Sequence, residues 1–271
     1  MNEILHTVIN AGLQKPVRIL HVTDVHLTEY SSEDPEEQRA LLERRRVTFQ
    51  KEGNYPTSST NEFFEEAIAL AEKEGYLLVV SGDVIDLNSA GNRAEFARIV
   101  AGHDMMFTPG GHEYQRKCKR TLHEDAPYPE TAIPQVQAAF PQFNFAFESR
   151  VINGLNVITL DNALDYFPAT ALEGLLREIE RGLPIIVFMH VPLYNGYLRH
   201  TVELHPNVTM RVSEEDYRKS DEVIELIEKH PLILASFAGH DHAPRDYERE
   251  GKMHYTTGAL FAGDARLIEI K

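Results

Sequence analysis

The sequence predicts an α/β fold, and two patterns carry that reading. Short apolar runs rich in β-branched residues recur along the chain, each ending in a polar cluster, and amphipathic helical patterns lie between several of them. The 271 residues suffice to bury a sizeable core, and no solenoid-period repeat or low-complexity block interrupts them. Residues 1–271 are therefore read as one domain.

Taken in order, the first buried strand is Arg18 to Thr23, which runs out into Asp24-Val25-His26. Residues 31 to 58 break the rhythm with a charged, helical segment from Glu36 to Phe49 and then a Gly/Asn/Pro/Ser loop, and they are read as an insertion above the strand ends. Ser59, three residues before Glu62, fits a capping box opening a helix with Phe63, Phe64, Ala67, Ile68 and Ala71 on one face. Leu77 to Ser81 is the second strand and leads into Gly82-Asp83-Val84-Ile85-Asp86. Met105 to Thr108 is the third and leads into Gly110-Gly111-His112-Glu113. Residues 113 to 143, polar, basic and then proline-rich, are read as a second insertion. After the strand Leu155 to Leu160, Thr170 and Glu173 fit another capping box, and the helix bearing Leu172, Leu175, Leu176 and Ile179 stops at Gly182 and Pro184. The strand Ile185 to Met189 ends at His190. A helix from about Ser220 to Lys229 and the strand Leu232 to Phe237 follow, the latter opening into Gly239-His240-Asp241-His242.

Five short motifs thus sit where strands run out into loops. In α/β sheets, ligands collect at the carboxyl ends of strands because the loops there converge on rigid bases. Asp and neutral His offer oxygen and imidazole donors suited to Mn, Fe, Zn, Co or Ni, and no thiolate joins the set, which argues for a catalytic rather than a structural metal centre. Gly82 and Gly239 permit close backbone approach there. Singly, Asp24 also fits a turn, Asp83 and Asp86 fit helix caps, and His190 fits a hydrogen-bonded core histidine. The ordered set does not fit those readings together.

The order D-x-H, G-D-x-x-D, G-G-H-E, H and G-H-x-H over residues 24 to 242 resembles the calcineurin-like metallophosphoesterases. The resemblance implies a four-layer sandwich, with two mixed β-sheets packed face to face and helices outside. It also implies two divalent metal ions: Asp24, His26 and His242 on one, His190 and His240 on the other, and Asp83 bridging. A metal-bridging hydroxide would attack the phosphorus, His112 would protonate the leaving oxygen, and Asp86 would orient His112, with Glu113 in support. Purple acid phosphatases carry Tyr where this chain has Asp86, so that subgroup is disfavoured.

One position departs from the family: the Asn before the catalytic histidine, which lends its amide oxygen to the second metal and helps to place the phosphate, is Gly111 here. The second metal is then expected to bind less tightly, with water, substrate or a carboxylate filling the gap. The same departure leaves open a catalytically weakened metal-binding or scaffold protein of this fold. Tyr194, Tyr197 and Arg199 follow His190 and are candidate substrate contacts, equally well read as loop packing. The basic runs Arg116, Lys117, Lys119, Arg120 and Arg44 to Arg46 are better read as solvated helix faces than as phosphate-steering patches.

The formal charge of -15 disfavours nucleic acid as a partner, but two cations in a pocket would reverse the local field and admit a small phosphorylated substrate. No clustered H-x-H-x-D-H run is present, which weighs against a lactonase or amidase of the metallo-β-lactamase type. No run of about 18 apolar residues is present to span a membrane. The single cysteine, Cys118, cannot form an internal disulfide. A cytoplasmic enzyme is expected.

Overall fold

The computed structural model describes residues 1–52, 60–115, 132–193 and 214–271. Eleven strands and seven α-helices are found among them: β1 (Glu3–Ile9), β2 (Val17–Val22), α1 (Glu36–Glu52), α2 (Thr60–Glu74), β3 (Leu77–Ser81), α3 (Ala90–Val100), β4 (Met105–Thr108), α4 (Gly111–Tyr114), α5 (Ala132–Ala139), β5 (Phe147–Ile152), β6 (Leu155–Leu160), α6 (Ala169–Ile179), β7 (Ile185–Phe188), α7 (Glu214–Lys229), β8 (Ile233–Ala238), β9 (Arg245–Arg249), β10 (Lys252–Thr256) and β11 (Asp264–Ile270). Leu260–Ala262 forms a 3-10 turn. None of these helices is long and apolar enough to cross a membrane.

The strands form two mixed sheets, ordered β1-β11-β2-β3-β4 and β5-β6-β7-β8-β10-β9. Val17, Ile19, Val79, Met106 and Ile268 of the first interleave with Leu155, Val157, Ile186, Phe188 and Phe237 of the second, so the sheets pack face to face. On its outer face the first sheet carries α2, α3 and α5 through Phe64, Ala67, Phe96 and Val136. The second carries α6 and α7 through Leu172, Leu175, Val223 and Ile227. The result is four layers. The central strands read as unbroken apolar runs because both faces are covered, and every residue of β6 is buried.

Several boundaries differ from the sequence reading. α7 begins at Glu214 rather than near Ser220, and α6 is entered through Pro168, which leaves Thr170 inside the first turn instead of at the cap. Ser59 lies outside the described residues. The tract after residue 113 contributes to the core, with Ala132, Val136, Phe140 and Phe143 packed beneath α3. The tract after residue 31 is fastened to the N-terminus of α3. Buried Asp34 accepts from the backbone N–H of Ala90 and Gly91, and Ser89 caps the helix by accepting from Asn92 N. α1 is thereby held near the carboxyl ends of β2 and β3.

Candidate metal centre

Beyond the sheets, the loops after β2 and β3 remain zipped together. Asp24 N donates to Gly82 O, His26 N to Asp83 O and Leu27 N to Val84 O, and Asp86 N donates back to Leu27 O. The loops after β7 and β8 meet in the same way through Gly239 N to His190 O. The four loops bring Asp24, His26, Asp83, Asp86, His190, His240 and His242 to one end of the sandwich. Asp24, His26, Asp83, His240 and His242 all have positive φ, between 50° and 73°. Non-glycine residues adopt that conformation at a cost, and such strain gathers at functional sites.

The donor atoms fall into groups that could hold an ion. Asp24, His26 and His242 form one, and Asp83, His190 and His240 form another. In the first group His26 Nε2 and His242 Nε2 lie 3.2 Å apart, and Asp24 Oδ1 lies 3.4 Å from His242 Nε2 and 3.8 Å from His26 Nε2. Among the described residues Asp24 Oδ1 is fully buried without a hydrogen bond, while Oδ2 accepts from Thr23 Oγ1 and His240 N. In the second, His190 Nε2 lies 3.2 Å from Asp83 Oδ2 and 3.3 Å from His240 Nδ1. Asp83 Oδ2 is also 3.9 Å from His26 Nε2, which places it between the two groups.

Hydrogen bonds behind the donors set their tautomers. His190 Nδ1 donates to Ser81 O, which can only accept, so Nε2 is the nitrogen that faces Asp83 Oδ2. His26 Nδ1 meets Asp86 Oδ1 at 3.0 Å, and Nε2 faces the first group. This is how proteins orient metal-binding imidazoles. Glu113, fully buried, takes the backbone N–H of Gly110, Asp83, Val84 and Ile85 on its two oxygens and clasps the Asp83 loop. Burial and the Asp83 charge push its carboxyl up to about 7, against the pull of those donors. Two glycines allow the close packing: a Cβ on Gly239 would stand 1.9 Å from Thr23 Oγ1, and one on Gly110 would stand 2.2 Å from Asp83 Oδ1. Gly82 makes its close approach to the Gly110 backbone rather than to the donors.

The electrostatics of the site favour positive charge. Burial works against ionising Asp24, yet His242 and His190 hold it down to about 2. Burial likewise opposes ionisation of Asp83, but His190 and His112 keep it well below the usual carboxylate range. Burial would strip the proton from His190, and Asp83 instead raises it to about 10. His26 and His240 are lowered by burial, and His242 is raised by Asp24 against burial. The carboxylates draw protons onto buried imidazoles, and a divalent cation answers the same demand.

His112 opens outward from α4, with a side chain 22 % exposed. Its backbone N–H donates to Asp83 Oδ1, and its Nδ1 donates to the Asp86 carbonyl at 2.7 Å, with Asp86 Oδ1 at 3.3 Å. Burial disfavours its charge, but Asp83 and Asp86 raise it to about 9. The Asp86 carboxylate makes its shorter contacts elsewhere. Arg45 of α1 grips it with Nε to Oδ2 at 2.9 Å and Nη2 to Oδ1 at 2.8 Å. Of the arginine run read as a solvated face, Arg46 pairs with Glu43 on the helix surface, but Arg45 does not fit that reading. No motif pointed to Phe49 and Phe261 either, which wall the first group: Phe49 stacks on His26 at 4.7 Å, and Phe261 meets His242 edge-on at 5.0 Å. Tyr194, Tyr197, Arg199, Arg116, Lys117, Cys118, Lys119 and Arg120 lie outside the described residues.

No curated protein sequence matches the chain. Three solved structures similar to it are a Staphylococcus aureus protein assigned as a 5′-nucleotidase, in complex with alpha-ketoglutarate (12% identity, 90% of this chain, TM-score 0.47), a phosphopantetheinyl hydrolase from Mycobacterium tuberculosis (12% identity, 90% of each chain, TM-score 0.42) and an archaeal phosphodiesterase (10% identity, 90% of this chain and 86% of that chain, TM-score 0.37). The chain spans about half, 49%, of the Staphylococcus protein. The family profile described as Calcineurin-like phosphoesterase matches residues 17–244, a stretch that contains every donor named above. On that match, the chain belongs to the calcineurin-like phosphoesterase family.

Proposed function

We propose that the chain is a metal-dependent hydrolase of a small phosphomonoester or phosphodiester, using two divalent ions on a single domain. Asp24, His26 and His242 would hold one ion, His190 and His240 the other, and Asp83 both. The observation that carries this reading is Asp24 Oδ1, a buried carboxylate oxygen without a hydrogen bond that faces two imidazole nitrogens. Buried polar atoms are rarely left unpaired, and a cation between these three atoms satisfies all of them. When bound, such ions supply Lewis-acid charge to the phosphoryl group and make water acidic enough to attack near neutral pH.

The chain's own residues do the rest. His112 Nδ1 is committed to the Asp86 carbonyl, so Nε2 is the nitrogen left to hand a proton to the leaving oxygen. The Glu113 clasp and the His112 N–H keep Asp83 in place while that happens. A small substrate suits the net charge of -15, which repels polyanions at long range. Hydrolysis of chromogenic phosphomonoesters and phosphodiesters by chelator-treated protein, before and after Mn, Fe, Zn, Co or Ni is restored, tests the reading. Turnover only with metal is the expected result. Full turnover without metal, or none with any, would refute it.

Among the described residues Gly111 has room for a side chain: a Cβ there would meet only Ala163 O and Gln115 Nε2, each at 3.5 Å, and φ is not positive. Gly111→Asn is therefore expected to fold and to tighten the second ion by about tenfold, the scale on which supporting groups tune metal sites. Titration of metal into both apo proteins, read by heat and by hydrolysis, checks this. Identical binding curves would mean that another group already completes the second site.

A further inference from the structure

α1 carries three consecutive arginines, and successive residues of an α-helix point about 100° apart, so the three cannot share one environment. Arg44 is exposed and Arg46 lies on the surface with Glu43. Arg45 turns inward. Phe49, four residues on and therefore on the same face, turns inward with it. Their contacts close a ring: the Arg45 guanidinium lies over the Phe49 ring at 4.5 Å, Phe49 stacks on His26 at 4.7 Å, His26 Nδ1 meets Asp86 Oδ1 at 3.0 Å, and Asp86 returns to Arg45 through two hydrogen bonds.

Asp86 is fully buried, and a carboxylate there without a partner would be costly. Burial opposes its ionisation, but His112, His26 and Arg45 keep it well below the usual carboxylate range. Both imidazoles meet Oδ1, whereas the Arg45 guanidinium holds both oxygens in one plane, a geometry that an ammonium cannot reproduce.

We propose that Arg45 is a positioning residue which, by gripping both oxygens of Asp86, aligns His26 and His112 for phosphoester cleavage. The inference rests on the hydrolase reading given under Proposed function. Arg45 acts through Asp86: Nε and Nη2, the two donors of one edge of its fork, are spent on the carboxylate. Phe49 fixes its rotamer, which makes α1 part of the catalytic apparatus although it contributes none of the proposed metal donors.

The test compares wild type, Arg45→Ala and Arg45→Lys at saturating metal, with metal content, thermal melting, kcat and KM measured on a nitrophenyl and an alkyl phosphoester. For Arg45→Ala the expected result is unchanged metal content, little change in KM, and a kcat lower by about tenfold or more on the alkyl ester but less than about threefold on the nitrophenyl ester, since only the poor leaving group needs a well-placed acid. Low-millimolar guanidinium should restore part of the alkyl-ester rate, whereas sodium chloride at equal ionic strength should not. Arg45→Lys, which keeps the charge and the packed stem, should show the same pattern more weakly and decides the matter if the alanine variant does not fold. Unchanged kcat on both esters, equal losses on both, or a raised KM at full kcat would each overturn the proposal, the last by making Arg45 a substrate contact. A wild-type protein that cleaves no phosphoester would overturn the hydrolase reading and this proposal together, and that result is in hand before any variant is assayed.

Discussion

Asp83→Ala is expected to empty the centre. Among the described residues Asp83 is the one carboxylate within 4 Å of imidazoles from both donor groups, with Oδ2 3.2 Å from His190 Nε2 and 3.9 Å from His26 Nε2. Its charge is also what raises His190 against burial. Without it, His190 and His240 are left as two neutral donors, too few to retain an ion through dialysis. Elemental analysis should show at most one equivalent held weakly. Hydrolysis should fall by about a thousandfold or more, because Lewis-acid stabilisation worth several kcal/mol is lost. A variant with undiminished metal content would remove Asp83 from the site.

His112→Ala is expected to separate chemistry from metal binding. Only the imidazole is removed. The backbone N–H of residue 112 still donates to Asp83 Oδ1, so metal content should match wild type. Turnover of alkyl phosphoesters should drop by about a hundredfold to ten-thousandfold, the range for general acid catalysis. Nitrophenyl esters, whose leaving groups need no proton, should lose far less. Rates that fall by one common factor across a leaving-group series would rule out proton donation by His112.

Much of this was legible in the sequence because the strands bearing the motifs are covered on both faces. β3, β4 and β7 have nearly every residue buried, so they read as plain apolar runs with the motif just beyond the last residue. Other strands gave no such signal. β9, Arg-Asp-Tyr-Glu-Arg, is a strand because it pairs with β10 rather than by pattern. β11 lies inside its sheet between β1 and β2, but its run is broken by Arg266, which is almost fully buried and whose Nη1 and Nη2 donate to Thr7, Asp246 and the Thr256 carbonyl. α3 was obscured by Gly91 and Asn92, and its cap comes partly from Asp34, far off in sequence. Arg45 escaped for a similar reason. Its partner is 41 residues away, and three adjacent arginines on a charged helix look alike until the helix is placed.

The division of the donors between the sheets bears on how the protein folds. Asp24, His26 and Asp83 leave strands of the first sheet, and His190, His240 and His242 leave strands of the second. Neither half of the chain holds a complete set, and the nearest crossing pair in sequence, Asp83 and His190, is separated by more than 100 residues. On the proposed donor set, a cation would be captured tightly only after the two halves have closed on each other and would act as a latch on the closed fold. Binding to the closed state alone would stabilise it by about 2.7 kcal/mol at a concentration a hundred times Kd. Melting temperature should therefore climb with added cation, and the supply of metal would govern how long each molecule stays folded as well as how fast it turns over.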